Sequence, residues 1–208
     1  MRQTIRRLRL LVALFRAVPP VPARNLVSGA VLLAVWPVLS LMAGPGEEGA
    51  AFVTAFLVAL AFRIALRFDS ILSHLLRELS RIETVLTALL IGLGPLALLA
   101  TLDDPLWCQR AQSAWYIVLG AMFLSDMLAG REDMAGRFWP MAEMRPYLAP
   151  LTRSMVLFCL TFLVLNETLI RALPPGGWLV FWAVLPVLTH VALSLMILSV
   201  VEIWDRRD

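Results

Sequence analysis

Six long apolar runs, at 26–43, 50–68, 83–101, 111–129, 152–172 and 178–201, alternate with polar gaps along the chain. About 20 apolar residues is the length an α-helix needs to cross a ~30 Å hydrocarbon layer. A segment crossing lipid must satisfy its own backbone hydrogen bonds, which helices do within one segment. The pattern therefore predicts an all-α fold, a polytopic transmembrane helical bundle of six spans. Composition bears this out as a constraint: 60% of the 208 residues are hydrophobic and only 16% are charged, with a mean hydropathy of +0.81. One water-soluble core cannot bury that much apolar surface, so a soluble enzyme, a disordered regulator and a nucleic-acid binder are excluded. Six helices consume roughly 120 residues, which leaves no room for a separate soluble domain.

Three gaps carry turn chemistry: Gly44-Pro45-Gly46-Glu47-Glu48-Gly49, Asp103-Asp104-Pro105 and Pro174-Pro175-Gly176-Gly177. Short connections built from such breakers join antiparallel neighbours. The other two gaps are longer and basic. All 18 basic residues are Arg, and their placement gives the orientation. Arg2, Arg6, Arg7, Arg9, Arg16, Arg24, Arg63, Arg67, Arg77, Arg81, Arg131, Arg137, Arg145, Arg153, Arg206 and Arg207 fall on one side of the alternation, against Arg110 and Arg171 on the other. By the positive-inside rule both termini are expected to be cytoplasmic.

Residues 1–24 form a segment distinct from the six-helix transmembrane domain at 25–208. Arg2, Arg6, Arg9 and Arg16 share one helical face, and Ile5, Leu8, Val12 and Phe15 share another. A basic amphipathic helix of this kind suits the anionic lipids of the cytoplasmic leaflet. A cleaved signal peptide is the rival reading, but Arg9 and Arg16 interrupt its would-be apolar core. Ile71, Leu72, Leu75, Leu76, Leu79 and Ile82 predict a second interfacial helix after an Asp69-Ser70 cap.

Polar side chains within spans are costly, so each is a candidate site. His190 follows the last outer gap by about 12 residues, or ~18 Å, which places it near mid-membrane. It reads either as a proton-handling or ligand group, or as a neutral imidazole bonded to a neighbouring helix near Thr189 or Ser194. Asn166 and Glu167 lie in the fifth span, and Arg171 follows Glu167 by four positions, the favoured order for a pair on one helix face. These residues bind a partner or polar ligand, or they lock the turn as an interfacial ion pair, with Trp178 and Trp182 opening the aromatic belt. Asp126 sits near the cytoplasmic end of the fourth span.

Other features concern packing. Ala51, Ala55 and Ala59 form a small-residue stripe that permits close helix approach. Gly92, Gly94 and Pro95 are expected to loosen the third span, and Pro186 the sixth. Cys108 and Cys159 differ too much in depth for a disulfide. Neither a metal-ligand set nor a cofactor motif is present, and no nucleophile–base pattern supports an enzyme.

The run Leu165-Asn166-Glu167, followed by Arg171, Trp178 and Phe181, resembles the penultimate-helix and turn signature of the septation protein A family. Leu102-Asp103-Asp104-Pro105-Leu106-Trp107 and Arg110 are similar to that family's acidic turn, and the resemblance covers roughly residues 26–200. The chain departs from the family pattern at Trp182, where Lys is usual, and at Gln112-Ser113-Ala114-Trp115-Tyr116 in the fourth span. The resemblance implies a multi-pass protein of the bacterial inner membrane, non-enzymatic, supporting cell-envelope integrity and septation through membrane protein partners. It makes Asn166, Glu167, Arg171, Trp178 and Phe181 the first residues to test, with His190 beside them. The expected partners are membrane lipids and inner-membrane envelope or division proteins, with room for a homo-oligomer and none for nucleic acid. A small transporter or channel subunit using Glu167, Asn166 and His190 is the alternative, and a lipid-modifying enzyme a third.

Overall fold

The computed structural model describes residues 12–44, 46–67, 94, 96–102 and 104–204, and all regular structure among them is helical. The named elements are α1 (Ala23–Met42), α2 (Glu48–Ala65), α3 (Pro105–Leu128), α4 (Asp133–Phe138), a 3-10 helix (Ala142–Tyr147), α5 (Leu148–Ala172) and α6 (Pro175–Trp204). Residues 12–17 and 96–102 are also helical. Four segments are long and apolar enough to cross a membrane: Ala23–Met42, Glu48–Ala65, Ala142–Ala172 and Pro175–Ile203. The expected fifth and sixth spans lie within these, and the expected first and second overlap them but run one and three residues further. Helix α3 coincides with the fourth and has 24 residues, but Gln109, Arg110, Gln112, Ser113 and Asp126 dilute its apolar character. Most of the third span, the 71–82 interfacial helix and the Gly92 and Pro95 positions lie outside the described residues.

The ends of the helices follow local chemistry. Asp104 caps α3: its Oδ1 accepts from Leu106 N–H at 2.8 Å, and Pro105 takes the first helical position, where its missing N–H costs nothing. This start is six residues earlier than the apolar pattern indicates. Between α1 and α2, Glu47 Oε2 accepts from Gly44 N–H at 3.1 Å, and Gly46 adopts φ +92°. The Pro174–Gly177 gap is shorter than expected. Helix α6 begins at Pro175, and Gly176 and Gly177 belong to its first turn. Pro at the first position is preorganised for a helix, which absorbs a sequence that reads as a breaker. Helix α6 then runs through Pro186 to a length of 30 residues, or ~45 Å, more than a ~30 Å hydrocarbon layer requires without tilt.

The chain forms two compact units. One comprises Met1–Val21, Gln112–Thr168 and Leu188–Asp208. Its core is an antiparallel seam between α3 and α5. Leu148, Thr152, Met155, Cys159, Phe162 and Asn166 are all buried on α5, and they recur at alternating spacings of four and three, the 3.5-residue repeat of helices packed side by side. On α3, Ser113, Tyr116, Gly120 and Phe123 answer at the same spacing. Tyr116 stacks with Phe162 at 5.6 Å, and a Cβ at Gly120 would stand 3.1 Å from that of Cys159. The connection after α3 folds back onto this core. Gly130 at φ +64° closes α3 with hydrogen bonds from Gly130 N–H to Met127 O and from Arg131 N–H to Asp126 O, the Schellman arrangement. Ala135 and Trp139 then join Phe123, Leu148, Leu151 and Met155 in one buried cluster.

The other unit comprises Pro22–Ala111 and Leu169–Val187. Helices α1 and α2 pack as a hairpin, and Ala55 and Ala59 of the expected small-residue stripe are fully buried. Helix α1 approaches α6 so closely at Gly29 that a Cβ there would run into the carbonyl oxygen of Ala183. Trp178 and Trp182 are 0% and 1% exposed, which corrects their reading as an aromatic belt. Trp178 lies among Phe52 and Phe56, and Trp182 packs on Phe56 with ring centroids 4.9 Å apart. Their area is better buried against aromatic neighbours than held at a lipid–water boundary.

Candidate functional site

One end of the α3–α5 seam brings three polar side chains together. Asn166 is 0% exposed and Ser113 4% exposed. Asn166 Nδ2 donates to Ser113 Oγ at 2.9 Å, and the same hydroxyl donates to Glu167 Oε1 at 2.6 Å. The seam's repeat explains the meeting. Asn166 takes the position after Phe162 on α5, and Ser113 takes the position before Tyr116 on α3, so antiparallel register places them opposite each other. The Ser113 hydroxyl is thus engaged both as acceptor and as donor. Asn166 lies six residues, or ~9 Å, from the end of α5.

The expected Glu167–Arg171 ion pair is not formed. Arg171 is exposed, and Glu167 accepts instead from a hydroxyl on another helix. A short interhelical hydrogen bond holds a half-buried carboxyl better than a flexible, solvated arginine does. His190 departs from expectation too: its Nε2 lies 3.1 Å from the carbonyl oxygen of Pro19, so its partner is the segment entering α1 rather than Thr189 or Ser194. Trp178 belongs to the aromatic cluster of the other unit, and Phe181 is half-buried. Within their own unit, Asn166 and Glu167 share the Ser113 hydroxyl, whereas His190 faces Pro19.

Two groupings escaped the sequence reading. Asp126, 5% exposed, accepts from Met134 N–H through Oδ2 at 2.6 Å and faces Arg131 at 3.8 Å through Oδ1, so it fastens the start of α4 to the end of α3. In the other unit, the guanidinium of Arg63 lies 3.7 Å from the Trp182 ring centroid, and its Nε donates to Ser28 Oγ at 3.3 Å. Its position in the last turn of α2 had made Arg63 read only as a topology marker. Cys108 and Cys159 are free and buried. Among the described residues, no three His, Cys, Asp or Glu side chains are grouped to hold a metal ion.

No family model, curated protein or solved structure matches the chain.

Proposed function

We propose that this chain is a six-span protein of the bacterial inner membrane, with both termini cytoplasmic, that supports envelope integrity and septation without catalysing a reaction. Its action is through helix contacts with other membrane proteins. The observation that carries this reading is the separate engagement of the costly polar groups. Asn166 and Glu167 are tied to Ser113, and His190 is tied to Pro19. A transport pathway needs such groups aligned along one hydrated route, whereas fasteners between neighbouring segments need them engaged pairwise. The exposed apolar ridge of Leu157, Leu160 and Val164 on α5 offers lipid or a neighbouring helix a continuous surface. Val12, Phe15 and Arg16 are exposed along the helical turn at 12–17, in keeping with a segment lying on an anionic leaflet. The link to septation draws on the resemblance to the septation protein A family.

The decisive experiment compares Glu167→Gln and Asn166→Ala in cells for envelope-stress sensitivity and protein abundance, with in-cell crosslinking to identify partners. Lost phenotype at normal abundance supports a contact made through this site. Unchanged phenotype in both variants removes the site assignment, and Glu167-dependent solute flux in proteoliposomes replaces the scaffold by a transporter. Reporters inserted after Gly46 and after Gly130 test the six-span topology by reporting opposite sides.

A further inference from the structure

One end of the α1–α2 hairpin gathers three cations. Arg24 lies in the first turn of α1, Arg63 in the last turn of α2, and Arg67 two residues past the end of α2. Arg67 Nη2 donates to Asn25 Oδ1 at 3.3 Å, and Arg63 is held between Ser28 and Trp182. Arg63 and Arg67 have an ordinary reason to be there, because a helix C-terminus favours positive charge. Arg24 has no such reason. It sits where the positive end of the α1 dipole disfavours a cation, in a first turn that contains no acidic residue and has no side-chain cap. Burial, and then the charge of Arg24, hold the Arg67 pKa below its usual value, so the two guanidinium groups feel each other. Among the described residues of this unit, the acids Glu47, Glu48 and Asp104 lie at the opposite end of α2. Glu47 and Glu48 begin that helix, and Asp104 precedes Pro105, which neighbours Gly49.

We infer that this end of the hairpin binds the phosphate of an anionic phospholipid, with Arg24 and Arg67 on the headgroup and Asn25 between them. An anion there relieves the like-charge repulsion and complements the positive end of the α1 dipole. Lipid is favoured over a soluble ester by what borders the cations. Leu26 and Val27 on α1, Phe62 on α2 and Leu66 just past its end are large apolar residues left exposed beside them, the surface an acyl chain needs below its headgroup. The inference requires α1 and α2 to cross a bilayer, but it is independent of the scaffold role.

The test uses the purified full chain in neutral detergent, with phosphatidylglycerol or phosphatidylcholine added, and native mass spectrometry of the retained lipid. Phosphatidylglycerol should be retained in preference to phosphatidylcholine. Arg24→Gln and Arg67→Gln should each lower its occupancy about fivefold, Arg67→Lys should retain most of it, and Arg137→Gln, at an exposed position of the other unit, should change nothing. Lipid-free unfolding temperatures of the variants should match the parent, while the shift that phosphatidylglycerol adds is lost. Equal retention of the two lipids by the parent overturns the inference, as does undiminished phosphatidylglycerol on the double variant. Displacement by soluble glycerol 3-phosphate overturns the lipid as the ligand and assigns the site to free phosphate esters.

Discussion

Asn166 Nδ2 and Ser113 Oγ meet at 2.9 Å, joining two helices through residues 53 positions apart in sequence. The same hydroxyl then donates to Glu167, so one serine organises both polar residues at the end of the α3–α5 seam. Ser113→Ala removes an acceptor from Asn166 and a donor from Glu167 at once. We expect a loss of about 1–2 kcal/mol, read as a lower thermal unfolding midpoint of the full chain in detergent. Ser113→Thr keeps the hydroxyl and should recover part of it. An unchanged midpoint for Ser113→Ala would show that the seam is held by packing alone.

Gly29 and Gly136 should respond oppositely to the same methyl group. At Gly29 the added Cβ meets the Ala183 backbone carbonyl, which no side-chain rotation can move, so Gly29→Ala should cost about 1–3 kcal/mol and reduce membrane abundance. At Gly136 the nearest atom is Leu148 Cδ1 at 3.9 Å, an ordinary contact. Gly136→Ala should leave stability unchanged or raise it by up to about 1 kcal/mol through helix propensity. Equal abundance of the two variants would refute the close approach of α1.

Asp126→Asn keeps the shape but removes the charge that serves Met134 N–H and Arg131. The cost should be about 1 kcal/mol and local. Faster amide hydrogen exchange across 131–138, with α5 protection retained, is the expected signature. Uniform loss of protection along α3 and α5 would instead make Asp126 part of the global fold.

His190→Phe should release the chain entering α1, since it removes the group that faces the Pro19 carbonyl. A cysteine placed at Val18, which is half-buried, should then react faster with a small maleimide in the variant than in its parent. Equal rates would mean that the 18–21 segment is held by other contacts.

Four of the spans were legible because apolar run length acts locally, and four described segments are long and apolar enough to carry them. The Asp104-Pro105 cap was legible in principle: an acid before a proline at the first helical position is a start signal, overlooked when boundaries are drawn from hydropathy. Partners were not legible. Glu167 and Arg171 obey the four-residue helix rule, yet the structure sets a hydroxyl from α3 against Glu167, and no local rule anticipates a group 54 positions away. The seam itself was hidden by its own composition. Leu148, Thr152, Met155, Cys159, Phe162 and Asn166 share a spacing but no common polarity, because helix contacts in lipid are selected by fit rather than by hydrophobicity. Trp178 and Trp182 misled for a related reason: a tryptophan near a span end suits the interface and the interior equally well until its neighbours are known.

The Schellman turn at Gly130 also dictates where the polypeptide can be divided. A side chain at Gly130 meets open space, and regular structure resumes only at Asp133. From there, Ala135 and Trp139 enter the cluster around Phe123. Two fragments parted at Gly130 should therefore reassemble when co-expressed, each carrying an intact complementary surface. Fragments parted within 133–139 should not, because the break falls in the piece that fits them together.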